Sequence, residues 1–296
     1  MEIRVLKYFL AVAREGSITG AANSLHLTQP TLTRQLQDLE KELKQKLFIR
    51  GKHNIILTPE GMILRKRAQE IVDMVKKTEA EFQSIGDTIS GDIYIGSGET
   101  DSMKYIAEII KEIQTDYPNI KFHIQSGNAE DVTEKLDKGL LDFGILIQPV
   151  DLLKYDHLTL PEKDIWGVVM RKDSPLAKKK CIKLEDLKGL PLLNSRQATR
   201  KTSSKNEFIE WFRGEYENMN TVATFNLVYN AAVMVKKGVG YAITLDKLVD
   251  ISSESELCFR PLSPKLESGL DVVWKKYQLF SPAAKLFLEK MQERFL

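Results

Sequence analysis

Five polar side chains crowd into one short stretch: Gln29, Thr31, Thr33, Arg34 and Gln37. Amides, hydroxyls and a guanidinium at helical spacing are the donors and acceptors that read base edges and phosphates. The elements that must position them can be read from the apolar residues around them. Leu32, Leu36, Leu39, Leu43 and Leu47 recur at steps of four, three, four and four, which is one face of a helix. Before it, Ile18, Ala21, Ala22 and Leu25 mark one face of a shorter helix. Between the two lies His26-Leu27-Thr28-Gln29-Pro30, with Thr28 as candidate N-cap and Pro30 as first-turn residue. The small Ala21 and Ala22 let the second helix approach the first. This is a helix-turn-helix pattern, although periodicity alone fits an ordinary pair of helices with a solvated face equally well.

Composition narrows the classes. The chain has 296 residues, 43% hydrophobic and 28% charged, ordinary for a soluble globular protein of a small plus a larger domain. The net charge of +2 hides an asymmetry: residues 1–67 hold twelve Lys or Arg against six acids, a balance of +6, leaving −4 for the remainder. A basic first quarter on an acidic body suits a nucleic-acid-binding head. Met1 leads into an amphipathic helix with no signal-peptide layout, and no apolar run is long enough to span a bilayer, so a cytoplasmic location and no membrane partner are expected. Cys181 and Cys258 make no CxxC and no metal spacing, and read as structural thiols ahead of a redox pair. Of the four histidines, His26 and His53 fall in the basic head and His123 and His157 in the body; no nucleophile elbow, Walker loop, HExxH or dinucleotide fingerprint is present. No catalytic residue, metal or cofactor is expected. A solute-binding or enzymatic α/β protein with an accessory helix-turn-helix is the alternative.

From Phe9 the wording becomes specific. Phe9, Gly16-Ser17, Ala21-Ala22, Leu25, Gln29-Pro30, Thr33-Arg34, Leu39-Glu40, Leu47-Phe48, Arg50 and Leu57-Thr58-Pro59-Glu60-Gly61 together resemble the winged helix-turn-helix of LysR-type transcriptional regulators. Lys44 stands where the family usually has glycine, and Thr33 where serine is commoner. The close match covers about the first sixty residues. It implies a sequence-specific regulator of promoter DNA, controlled by a small-molecule effector, acting as a homodimer and further as a homotetramer, with RNA polymerase as a partner. The candidate DNA contacts are Thr28, Gln29, Pro30, Thr31, Thr33, Arg34 and Gln37, together with Arg50, Lys52 and His53 on a β-hairpin wing formed by Phe48–Arg50 and Asn54–Leu57.

Thr58-Pro59-Glu60 opens a new helix that runs to about Ile85. Leu64, Ala68, Ile71, Val75, Thr78, Phe82 and Ile85 are spaced as a heptad seam, the mark of a two-stranded coiled coil; a core helix of a globular domain is the alternative. The resemblance implies a linker that joins two heads. After the hinge segment Gly86–Gly91 the pattern alternates strands and helices, implying a largely parallel α/β sheet. The expected organisation is a winged helix-turn-helix at 1–58, a linker helix at 59–88 and an effector domain at 89–296. That domain resembles periplasmic solute-binding proteins in having two α/β lobes, lobe I at about 91–161 and 268–296 and lobe II at about 162–267.

Open α/β sheets bind ligands beyond the carboxyl ends of their strands, where helix N-termini offer free amides. That rule selects Ser97, Gly98, Glu99 and Thr100 after the first strand, Ser126, Gly127 and Asn128 after the second, and Asn194, Ser195 and Asn226 in the other lobe. Each is as good a helix cap as a ligand contact. The resemblance implies an effector contact at Thr100. The set suits a small polar or anionic metabolite, with Glu99 opposing an anion if it points inward.

Overall fold

The computed structural model describes residues 1–50, 55–83, 89–196, 198 and 206–296. The chain divides into two compact units, Met1–Phe82 and Gln83–Leu296.

In the first unit, α1 (Ile3–Glu15) buries Val5, Leu6, Phe9 and Val12. It stops at Gly16, whose φ of 63° is left-handed, and Ser17 then caps α2 (Ile18–Ser24) by accepting from Gly20 N. Helix α3 (Gln29–Leu43) buries Leu32, Leu36 and Leu39 against Phe9, Ala21 and Ala22 in one core. The small side chains of Ala21 and Ala22 let the helices close up, as the sequence implies. Lys44 adopts φ 53° at the end of α3, the left-handed turn that the family's glycine makes without steric cost. Strands β1 (Phe48–Arg50) and β2 (Ile55–Leu57) pair antiparallel. The expected wing tip, with Lys52 and His53, lies outside the described residues, as do Ile85 and residues 86–88 of the hinge segment.

Helix α4 (Pro59–Gln83) starts from a three-way knot. Thr58 Oγ1 donates to Lys46 O and accepts from Gly61 N, and a Cβ at Gly61 would stand 2.2 Å from Leu47 O. Glu40 Oε1 accepts from Leu47 N on the other side of the same segment. The Leu-Glu and Leu-Thr-Pro-Glu-Gly wording is therefore the packing code that joins α3, the wing and α4. Helix α4 serves two purposes in turn. Leu64, Ala68 and Val72 enter the head core, whereas Ile71 and Phe82 of the expected seam stay exposed, the latter at 71%. The N-terminal part of the seam, Leu64 and Ala68, is thus core, and its exposed members begin at Ile71.

The second unit holds two sheets. The first contains β3 (Gly91–Ser97), β4 (Ile120–Ser126), β5 (Phe143–Ile147), β6 (Tyr155–Thr159) and β13 (Leu270–Lys275), in the order β4-β3-β5-β13-β6. Helices α5 (Met103–Asp116) and α6 (Ala129–Asp137) connect its parallel strands. The second contains β7 (Asp164–Arg171), β8 (Leu192–Ser195), β9 (Thr221–Phe225), β10 (Tyr241–Leu245) and β11 (Leu257–Pro261), in the order β11-β7-β10-β8-β9, with β12 (Glu267–Ser268) also on β7. Helices α7 (Leu184–Leu187), α8 (Glu207–Trp211) and α9 (Val228–Lys236) pack on it, and α10 (Pro282–Phe295) closes the chain against the first sheet. The largely parallel sheet expected from the sequence is corrected to two mixed sheets. β13 runs antiparallel to both β5 and β6, and β7 antiparallel to β10 and β11, because each lobe is completed by a strand that arrives from the other. Strand β6 was not expected from the sequence; Tyr155-Asp-His-Leu-Thr alternates weakly and buries only Tyr155 and Leu158.

Candidate DNA interface and ligand cavity

The burial of Leu32, Leu36 and Leu39 fixes which side of α3 faces outward. Thr28, Gln29, Pro30, Thr31, Arg34 and Gln37 are exposed and Thr33 is half-buried. Thr28 holds the N-cap position, but its hydroxyl makes no bond to the helix backbone. It pairs with Thr31 Oγ1 at 2.8 Å, and Gln29 Nε2 donates to Thr33 Oγ1 at 3.0 Å. These two pairs order the polar face before any partner arrives. Arg34 is 84% exposed and reaches Asp38 only at 4.0 Å, too loose a pair to hold the guanidinium. Of Arg50 only the backbone is described, at the end of β1. His26 takes φ 55° in the turn between α2 and α3 and is exposed; its type alone gave no sign of that strain. Beneath the interface, burial pushes the Glu40 carboxyl up, but the Leu47 amide and the Lys46 ammonium outweigh it and hold the carboxyl below its usual range.

In the second unit a cavity of about 350 Å³ lies between the two sheets, near the lower end of the roughly 300–1,000 Å³ typical of small-molecule sites. Five of the ten residues selected from the sequence line it: Gly98, Glu99, Gly127, Ser195 and Asn226. The other five do not. Strands β3, β4 and β8 run farther than expected, so Ser97 and Ser126 are paired strand ends and Asn194 is an interior strand residue with no exposure. Asn194 Nδ2 donates to Thr221 Oγ1, and its Oδ1 has no partner among the described residues. Asn128 caps α6, accepting from Asp131 N while the Asp131 carboxylate accepts from Asn128 N. Thr100, the contact implied by the resemblance, is buried; its hydroxyl donates to Asp164 Oδ2 at 2.6 Å and accepts from Ser102 N.

Several lining residues escaped sequence reasoning. Gln148 follows β5 and Thr244 lies near the end of β10, so the strand-end rule applied to every strand finds both. Trp166, Phe208 and Ser268 carry no such mark. Trp166 is 6% exposed and its indole Nε1 donates to Ser268 Oγ at 2.8 Å. Asp271, 1% exposed, accepts from Gln148 Nε2 and Thr159 Oγ1. An apolar wall with a few fixed polar groups is what holds a small organic molecule in one orientation. Asp164, beside the cavity, has its carboxyl pushed up by burial, with Thr100 pulling the other way. Among the described residues no group of His, Cys, Asp or Glu could hold a metal ion. Cys181 and Cys258 are free thiols of the six-stranded lobe, and burial pushes the Cys258 thiol up.

This architecture matches known proteins along the whole chain. Residues 3–62 match the bacterial regulatory helix-turn-helix protein model of the lysR family, and residues 86–296 match the LysR substrate binding domain. The chain belongs to the LysR family: it is a DNA-binding transcriptional regulator with a substrate-binding domain. It is 29% identical over 297 residues to the uncharacterized HTH-type transcriptional regulator YvbU of Bacillus subtilis, covering 100% of this chain and 99% of that one. It is 32% identical over 206 residues to the HTH-type transcriptional regulator BsdA of Bacillus subtilis, covering 68% and 69%. Full-length CbnR, solved in complex with its target DNA, shares the fold with a TM-score of 0.75 at 20% identity, over 99% of each chain. Among the described residues no helix is long and apolar enough to cross a membrane.

Proposed function

We propose that Gln29, Thr31, Thr33, Arg34 and Gln37 read the major groove of a promoter site and that a small polar metabolite bound in the 350 Å³ cavity controls the outcome. The observation that carries the first part is the orientation of α3: its leucines are buried, so its amides, hydroxyls and free guanidinium face outward together. Arg50, Lys52 and His53 supply phosphate contacts beside it. A second copy of the chain pairs along α4, where Ile71 and Phe82 are exposed at heptad spacing, and dimers assemble further into tetramers. RNA polymerase is the downstream partner, the setting is the cytoplasm, and the cavity binds its ligand without turnover, needing no cofactor.

The test is binding of the purified protein to a labelled duplex from upstream of its own gene against a scrambled duplex, titrated with salt. Selective binding that weakens steeply with salt is expected. Arg34→Ala removes a contact worth about 1–3 kcal/mol of discrimination, so selectivity falls by about fivefold to a hundredfold while the melting curve stays unchanged. Equal affinity and selectivity in the variant would overturn the assignment of α3.

A further inference from the structure

Between Gly98 and Lys104 the chain leaves β3 and enters α5, and this turn is tied repeatedly to the six-stranded lobe. Glu99 Oε2 accepts from Val228 N at 2.5 Å. Thr100 binds Asp164 at 2.6 Å, Asp101 pairs with Lys247 at 3.3 Å, and Lys104 pairs with Glu162, between β6 and β7, at 2.7 Å. The first tie differs from the rest. Val228 is the first residue of α9, and Leu227 at its N-cap position offers no side-chain cap. The free amides of a helix start attract an anion. A carboxylate from the opposite lobe fills that position, and both Glu99 and Val228 line the cavity.

We propose that Glu99 is a built-in anion that occupies the N-terminus of α9, latching the two lobes together and barring a ligand carboxylate from that end of the cavity. This rests on the reading of the cavity as the effector site only for its consequence: an effector then presents a hydrogen-bond donor or an apolar group to Glu99, or breaks the latch to bind. The latch itself stands on the contact between two lobes.

The test is chemical rescue in the full-length protein. All three tryptophans, Trp166, Trp211 and Trp274, lie in residues 83–296, so tryptophan emission follows the melting of this unit alone. Glu99→Ala is expected to lower that transition by about 2–4 °C, the shift that loss of one helix cap produces in a unit of this size. Sodium formate should restore most of the loss, whereas sodium chloride at equal ionic strength should not, and the wild type should show no formate-specific shift. Glu99→Gln, which keeps the shape and an uncharged acceptor, should melt between the two and ignore formate. An unchanged transition in Glu99→Ala, a drop that formate does not reverse, or equal formate responses in all three proteins would each overturn the latch. Rescue by formate in a protein whose promoter binding ignores every metabolite tried would leave the latch standing and remove the effector reading.

Discussion

Two neighbouring turns of the five-stranded lobe have similar wording and opposite behaviour. Strands β3 and β4 lie side by side, end in the paired Ser97 and Ser126, and each is followed by a glycine and then by polar residues that lead into a helix, four of them after β3 and one after β4. After β4, Asn128 and Asp131 bind each other's backbone amides and the turn is satisfied within four residues. After β3, Glu99 and Thr100 bond to the other lobe, 129 and 64 residues away in the chain. Polar residues at a strand end therefore say that backbone amides will be met, not which ones. The difference lies in what the helix start lacks. Helix α6 caps itself, whereas Ser102 at the N-cap position of α5 makes no side-chain cap; Thr100 accepts from the Ser102 amide while donating to Asp164, and Glu99 reaches across to Val228 N.

The largest effect expected from this contrast is at Thr100. Thr100→Val keeps the shape and removes the hydroxyl, leaving the buried Asp164 carboxyl without that donor at a cost of about 2 kcal/mol. Tryptophan-monitored denaturation should show the loss, and Thr100→Ser should recover it. Asn128→Ala should cost about 1 kcal/mol, the ordinary value of a cap, without altering Trp166 emission in the native state; a change there would mean the β4 turn also reaches the cavity. The smallest effect is in acid. Asp101 is held below its usual range by Lys104 despite its partial burial, and Glu162 likewise by Lys104. Their contributions are present above the ordinary carboxylate range and are lost as pH falls through the depressed values. Asp164 is raised instead: its protonated form is favoured on folding, so its contribution is greatest in acid and declines as pH rises through and above 3.8. A pH series of urea midpoints should therefore show Asp164→Asn losing stability relative to the wild type in acid, not at neutral pH.

Much of the head was legible because its code is largely local. Gly16 and Ser17 act on amides or backbone within four positions, and the leucine spacing of α3 fixes its outward face, whereas Thr58 and Gly61 also meet Lys46 and Leu47 twelve and fourteen positions back, a contact that the family wording and not the spacing marked. The alternation of the second unit gave its strands and helices, and the return of β13 and α10 to the first sheet was expected. The mixed strand directions were not, since direction depends on where a distant strand inserts. The cavity was half legible for the same reason: Gly98, Glu99 and Gly127 follow strands in the chain, but Trp166, Phe208 and Ser268 meet through β12 and α8, which carry no periodic signal.

Strand β13 sits between β5 and β6, and α10 covers the same sheet. All strands of the six-stranded sheet lie before residue 269. A growing polypeptide therefore holds every strand of its second lobe while the first still lacks the strand between β5 and β6. Domains are usually completed from the N-terminus during synthesis; here the earlier lobe closes only after the later one holds all its strands. A chain without residues 269–296 would hold the helix-turn-helix head and every strand of the six-stranded sheet, but its other sheet would lack β13 and the cover of α10.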